Sequence, residues 1–218
     1  MYSGVIDPAP DHVVFAVFED GRPLAVERRP MRGRDAATLV PFVEETLKKC
    51  GLALDDVKRW TAGSGPGSFT GLRLIAALVQ GWCMGKSDTL CRNVPGALAL
   101  AGMLKPAPGT EAGALYDGRN KELLFFGIKC DENGQLMPSG KTAVLNRETA
   151  EAFFAADPMP LALFSSEEEN IRKILPAGIE VKSFASSDPA LLDQADYREY
   201  DNDLTSPVYI RPAVYLEK

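Results

Sequence analysis

The chain has 218 residues, 45% of them hydrophobic and 25% charged, which suits one large domain or two small ones packed around a core of useful size. Its net charge of -6 excludes a general attraction to phosphate backbones, so contact with nucleic acid is expected only locally or through a partner. No basic run followed by an apolar stretch opens the sequence, no window is long and apolar enough for a membrane span, and Cys50, Cys83, Cys91 and Cys130 include no CxxC pair. The expectation is a cytoplasmic chain without a signal peptide or membrane contact, whose thiols act as small buried hydrophobes.

In chain order, Val5–Asp7 is a short apolar run ending in an acid, and Pro8–Asp11 reads as a turn. Val13–Phe18 is rich in strand formers, Asp20-Gly21 signals a hairpin, and Leu24–Arg28 returns, so three strands open the chain. Apolar residues at steps of three and four predict a helix over about 35–50, kinked or shifted by Pro41 and stopped by Gly51. A strand over 57–62, a Gly-rich turn over 63–71, a helix over about 70–84, a strand near Leu90 and a helix over 94–104 follow. Lys105–Gly109 is the clearest linker, dividing an N-terminal unit, 1–104, from a C-terminal one, 110–218.

The second unit restarts the plan of the first. Ala114–Asp117 is again an apolar run ending in an acid, Leu123–Ile128 is again a strand, and Asp131–Gly134 is again a turn with Asn-Gly at its tip. Asp7 precedes Val13 by six residues, and Asp117 precedes Leu123 by six. Such a tandem arrangement points to duplication. Two copies of a hairpin-rich α/β unit are what actin, hexokinase and their relatives contain. The remainder, about 146–200, alternates short helices and strands, with Ser165–Asn170 reading as a capped, acidic helix start.

The segment Gly63-Ser-Gly-Pro-Gly-Ser-Phe-Thr-Gly-Leu-Arg73 is the most distinctive in the chain. It reads as a strand-to-helix turn in which Ser68 or Thr70 can cap the helix. A phosphate cradle is the sharper alternative. A P-loop requires Gly-Lys five residues after the first glycine, and none is present from Gly65 or Gly67; a dinucleotide fingerprint starting at Gly65 requires glycine where Thr70 stands. The structural reading is therefore preferred.

Gly65–Arg73 resembles the signature of the bacterial TsaB (YeaZ) family, which acts in the biosynthesis of tRNA threonylcarbamoyladenosine. Leu39-Val-Pro41, Asp117-Gly-Arg119 with Glu122, and Pro207-Val-Tyr-Ile-Arg211 resemble further family segments in the same order. The chain departs from the family at Ile6-Asp7-Pro8-Ala9, where Ile-Asp-Thr-Ser is usual, and at Asp35-Ala36-Ala37, where the first helix usually starts His-Ser-Glu. The resemblance implies a divergent member with a duplicated actin/hexokinase-like (ribonuclease H-like, ASKHA) α/β fold, its mixed β-sheets flanked by helices.

It also implies a non-catalytic scaffold that binds and activates a TsaD-like catalytic subunit. A TsaE-like ATPase would be reached through the complex, tRNA would be touched only indirectly, and the chain alone would form a homodimer. The lone His12 cannot supply the His-x-x-x-His metal site of TsaD, a His-Glu-x-x-His zinc helix or, without a nucleophile elbow, a serine triad. No catalytic residue, metal or cofactor is expected. Asp7 and Asp117 are weak candidates for a cleft-facing site, and a hydrolase-like or nucleotide-binding enzyme is the alternative. On the helix after the signature, Leu72, Ile75, Ala76, Val79 and Cys83 form one apolar stripe and Leu74, Leu78 and Trp82 a second. A helix apolar nearly all round has to be covered on both sides. The expected partner contact is Leu39, Val43, Phe69, Thr70, Arg73, Leu74, Leu78 and Trp82.

Overall fold

The computed structural model describes residues 1–31, 35–204 and 208–210. Two five-stranded mixed sheets form its frame. The first contains β1 (Tyr2–Pro8), β2 (His12–Glu19), β3 (Arg22–Pro30), β4 (Val57–Gly63) and β5 (Leu90–Val94), in the order β3-β2-β1-β4-β5. The second contains β6 (Glu111–Arg119), β7 (Glu122–Cys130), β8 (Leu136–Leu145), β9 (Leu161–Phe164) and β10 (Val181–Phe184), in the order β10-β9-β6-β7-β8. In each, three antiparallel strands lead and two parallel strands follow on the other side of the first. This is the duplicated actin/hexokinase-like architecture. Strand β8 was not read from the sequence, although the repeat requires it.

The hairpins close as their residues dictate. Asp20 and Gly21 both take positive φ, 48° and 77°, the twist that a two-residue turn between right-twisted strands needs. Between β7 and β8, Asp131 Oδ1 accepts from the backbone N–H groups of Asn133 (2.9 Å) and Gln135 (2.8 Å), so the side chain of Asp131 organises the turn expected of Asn133-Gly134.

Helices cover the outer faces. The predicted helix over 35–50 is a 3-10 turn, Asp35–Thr38, followed by α1 (Leu39–Lys49). Pro41 lies in the first turn of α1, where its missing N–H would have had no helical acceptor, so it neither kinks nor breaks the helix. Helix α2 (Phe69–Cys83) shares the outer face with α1, and Leu39, Phe42, Val43 and Leu47 of α1 join Ile75, Val79 and Cys83 of α2 over Phe15, Val17 and Trp60. On the second sheet, α4 (Arg147–Ala156) and α5 (Glu168–Arg172) bury Ala150, Phe154 and Ile171 against Leu115, Leu123 and Phe125. Helix α5 begins later than the capped start expected at Ser165, at Glu168, and has no side-chain cap.

The two sheets meet through α3 (Gly96–Ala101), the regular part of the helix predicted over 94–104; a 3-10 turn, Gly102–Leu104, completes it. All six residues of α3 are buried, packed among Val5, Ala16 and Phe18 of one sheet and Tyr116, Phe126 and Phe164 of the other. Leu98 and Leu100 each contribute about 2 kcal/mol by burial alone.

After β10 the chain returns to the first half. Beyond α6 (Ala190–Asp193) it crosses Arg92, which is 4% exposed. One guanidinium donates to four carbonyl oxygens, those of Ala195 (2.6 Å), Arg198 (2.8 Å), Leu192 (3.1 Å) and Asp193 (2.7 Å), and lies 4.3 Å from the centre of the Tyr200 ring. Asn202 then pairs with both backbone groups of Cys91 (each 2.9 Å), Leu204 enters the outer core, and the Val208 N–H donates to the Ser64 carbonyl (2.7 Å).

Candidate contact surface and buried carboxylates

The distinctive turn begins where β4 ends at Gly63. The Ser64 N–H donates to the Val94 carbonyl (2.8 Å) and the Gly65 carbonyl accepts from Ala97 (3.3 Å), which ties the turn to the start of α3. Gly65 adopts φ +99°, and a Cβ there would lie 2.9 Å from Leu72 Cδ1, so both backbone and space require glycine. Ser68 is the residue before α2 but its side chain makes no capping bond, contrary to expectation. Only its carbonyl takes part, accepting from Leu72 N–H (2.9 Å).

Helix α2 presents a mixed outer surface. Leu72, Ile75, Val79 and Cys83 are buried; Leu74, Leu78 and Trp82 are half-buried; Thr70, Arg73, Ala77, Gln80 and Gly81 are exposed, and Met84 beyond its end is 78% exposed. The two apolar stripes expected from the sequence thus differ in burial. Trp82 is partly internal, its ring 4.6 Å from that of Trp60. Arg73 donates to the Tyr209 hydroxyl (3.3 Å), within the chain. Leu39 and Val43 do not belong to any surface: they are 1% and 0% exposed, because their stripe on α1 faces the sheet. What α1 turns outward is Pro41, Glu44, Glu45, Lys48 and Lys49. Of Phe69 only the backbone position at the start of α2 is described, and Pro207 and Arg211 lie outside the described residues.

The two candidate carboxylates have different surroundings. Asp7, at the end of β1, is 2% exposed. Its Oδ2 accepts from the Ser187 hydroxyl (3.0 Å), and Oδ1 has no partner among the described residues. Burial pushes its carboxyl up to about 7, against the smaller lowering effect of the Ser187 bond. Gly63 and Gly96 enclose it so closely that a Cβ on either would collide with Oδ1. Asp117 is half-buried: Oδ1 accepts from Arg119 N–H (2.8 Å) and Oδ2 from the Asn170 amide (2.9 Å). Its own N–H donates to Glu167 (3.2 Å), whose carboxyl burial pushes up to about 7.

Thus the repeat-related acids each find separate partners. Glu167 was read from the sequence only as part of an acidic helix start, and nothing local marks Ser187, which meets Asp7 from far along the chain. His12 is buried with Nδ1 2.7 Å from Asp11. Among the described residues, no three His, Cys, Asp or Glu side chains are grouped so as to hold a metal ion.

A family model described as "TsaD: tRNA N6-adenosine threonylcarbamoyltransferase" matches residues 34–138. The tRNA threonylcarbamoyladenosine biosynthesis protein TsaB of Escherichia coli (strain K12) is 31% identical over 111 residues, 50% of this chain and 48% of that protein. The Haemophilus influenzae TsaB is 43% identical over 47 residues, 22% of this chain and 20% of its own. Over these spans the chain is similar to TsaB (YeaZ) proteins. Its match spans about half the length of the E. coli TsaB. A crystal structure from Pseudomonas aeruginosa, of a protein described as similar to peptidase YEAZ, superposes with a TM-score of 0.74, covering 96% of this chain and 99% of that one at 22% identity. The YeaZ structure from the same organism gives 0.67, covering 88% of both chains at 22% identity. At that identity the two structures speak to the fold, and the TsaB sequence matches show similarity over part of the chain.

Proposed function

We propose that this chain is an accessory subunit in the formation of N6-threonylcarbamoyladenosine in tRNA, a non-catalytic scaffold that engages a TsaD-like catalytic subunit. The observation that carries this reading is the outer surface of α2: a helix about 22 Å long by its residue count, half-covered by its own chain and leaving Leu74, Leu78, Ala77, Gly81 and Met84 within reach of a partner. The charged outer residues of α1 border it, so an apolar centre has a polar rim on one side, the usual composition of a protein interface. Sequence similarity to TsaB proteins supports the reading, and so does the single histidine, which leaves this chain without the paired ligands of a TsaD-type metal site.

In this reading Gly65–Arg73 sets the start of α2 rather than binding phosphate. The carbonyls of Ser64 and Gly65 are held by Val208 and Ala97, which fixes the helix that the partner meets. The same surface would join two copies when the chain is alone. The TsaE-like ATPase would act through the complex, and contact with tRNA would fall mainly to the catalytic subunit, in keeping with the acidic balance of this one. Work in the cytoplasm fits that task.

The test is co-purification with the TsaD-like protein of the same organism, read by light scattering, with tRNA modification measured in the presence and absence of this chain. Trp82 is a poor site for a disrupting change because it packs on Trp60. Gly81 is better, since a Cβ there meets nothing within 4 Å. Gly81→Arg is expected to weaken association at least tenfold in a folded protein. Unchanged association for Gly81→Arg and Ala77→Arg alike would remove α2 as the contact, and modification that proceeds equally without the chain would remove the accessory role.

A further inference from the structure

We infer that Asn133 is a site of spontaneous covalent modification, at which the Gly134 nitrogen displaces ammonia from the Asn133 side chain and leaves aspartate or isoaspartate in its place. The inference is independent of the accessory-subunit reading. The hairpin between β7 and β8 turns over Asp131–Gly134. It closes with the Gly134 N–H donating to the Asp131 carbonyl (3.0 Å) and the Asp131 N–H to the Gln135 carbonyl (2.9 Å). Such a loop needs a left-handed residue near its end, and Gly134 supplies it at φ +82°. A Cβ there would meet nothing within 4 Å, so the backbone angle, not space, selects glycine. The selection has a chemical consequence, because a glycine nitrogen is the least screened nucleophile that can follow an asparagine. Of the six asparagines, Asn133 alone is followed by glycine; the others precede Val94, Lys121, Arg147, Ile171 and Asp203. Four of those five also have occupied side chains: Asn93 accepts from Arg198, Asn146 from Glu148, and Asn202 from Cys91, while Asn170 donates to Asp117. Asn133 is exposed, and its carboxamide has no hydrogen-bond partner among the described residues.

A hydroxide ion removes the Gly134 amide proton, the nitrogen attacks Asn133 Cγ, and the Cγ–Nδ2 bond breaks, releasing ammonia with a proton taken from water. A five-membered imide then joins the two residues. Water adds to one of its two carbonyls and the C–N bond of that carbonyl breaks. Opening at Cγ restores the backbone and leaves aspartate. Opening at the backbone carbonyl routes the chain through the former side chain and leaves isoaspartate, one methylene longer. One water is consumed and one ammonia released. The closed turn holds the reaction back: the Asp131 carbonyl engages the Gly134 N–H, and Asp131 Oδ1 holds the N–H groups of Asn133 (2.9 Å) and Gln135 (2.8 Å). The nitrogen reaches Cγ only when the turn opens, so Asp131 is the guard of the site. The product matters beyond the turn, since Leu136, directly after Gln135, packs on the central cluster beside Gly102. A turn one methylene longer shifts that contact.

The experiment incubates the folded full chain in mildly alkaline water enriched in the heavy oxygen isotope and maps its peptides over time. The expected result is label in a new carboxyl group at position 133 before any other asparagine, with isoaspartate identified there by methylation with an isoaspartyl methyltransferase. Asp131→Ala should hasten the conversion roughly fivefold or more, because two hydrogen bonds no longer hold the turn closed. Asn133→Gln should stop it. The isoaspartate form should unfold at a lower temperature than the unmodified chain, and Asn133→Asp, which adds the charge without the methylene, at an unchanged one. Conversion that starts at another asparagine, or a folded chain left unconverted at position 133 while the denatured chain reacts there, would overturn the proposal. An unchanged rate in a folded Asp131→Ala would overturn the role given to Asp131.

Discussion

The two halves repeat one sheet and diverge in what they lay over it. Between the two parallel strands of the first sheet stands α2, Phe69–Cys83; at the equivalent place in the second stands α5, Glu168–Arg172. The longer helix buries one stripe and still has apolar surface facing outward. The shorter one seats Ile171 in the core and otherwise carries the charged pairs Glu168–Arg172 and Glu169–Lys173. Strand order is constrained by backbone pairing and a shared core, whereas a helix on the outer face is free to lengthen once its inner stripe is satisfied. The surplus apolar surface lies on the first half, where the proposed contact falls.

The largest expected effect tests the contrast between the acids. The carboxyls of Asp7 and Glu167 are held near 7, above their ordinary values of 3.8 and 4.5. The folded state therefore binds protons that the unfolded state has released, and stability falls as pH rises from about 4 through 7. Asp7→Asn should stabilise the protein at pH 8 by about 2–4 kcal/mol and flatten its pH dependence, as followed by urea unfolding. Glu167→Gln should act in the same direction with smaller amplitude, because Glu167 is partly exposed. A steeper loss of stability with rising pH in Asp7→Asn would contradict the burial argument.

Next in size are the helix starts. Asn146 caps α4, its side chain accepting from Glu148 (3.0 Å) and Thr149 (2.9 Å), whereas Ser68 makes no such bond at α2. Asn146→Ala should cost about 1 kcal/mol in thermal or chemical unfolding, and Ser68→Ala close to nothing. The smallest stability gain is at Gly81, where arginine should raise stability by about 0.5–1 kcal/mol through helix propensity while association falls. Gain and loss in one variant would separate folding from binding at that surface.

Local chemistry made the sheets legible. Asp20-Gly21, the β-rich run Val13–Phe18 and its echo at Leu123–Ile128 announce hairpins, and the equal spacing from Asp7 and Asp117 announces the repeat. What remained hidden depends on residues far apart in the chain. Arg92 reads only as part of a strand near Leu90, yet its partners lie at 192–198. Asp7 gains Ser187, and Ser64 gains Val208, through the returning chain. The candidate surface was half legible: apolar spacing located both stripes of α2, but periodicity cannot tell which of two apolar helix faces meets the sheet. The contact that the resemblance implies at Leu39 and Val43 has a different origin, and their stripe on α1 packs inward.

The returning segment carries a consequence for how the protein is inherited and made. Residues at the far end of the second copy now supply the acceptors for Arg92, the hydroxyl for Asp7 and the Leu204 side chain for the outer core of the first. The ancestral duplicates have become interlocked, each incomplete without the other's chain. A ribosome that has released only the first copy has made a sheet with a guanidinium still waiting for its carbonyls, so that sheet is completed only when the chain has been made as far as Leu204.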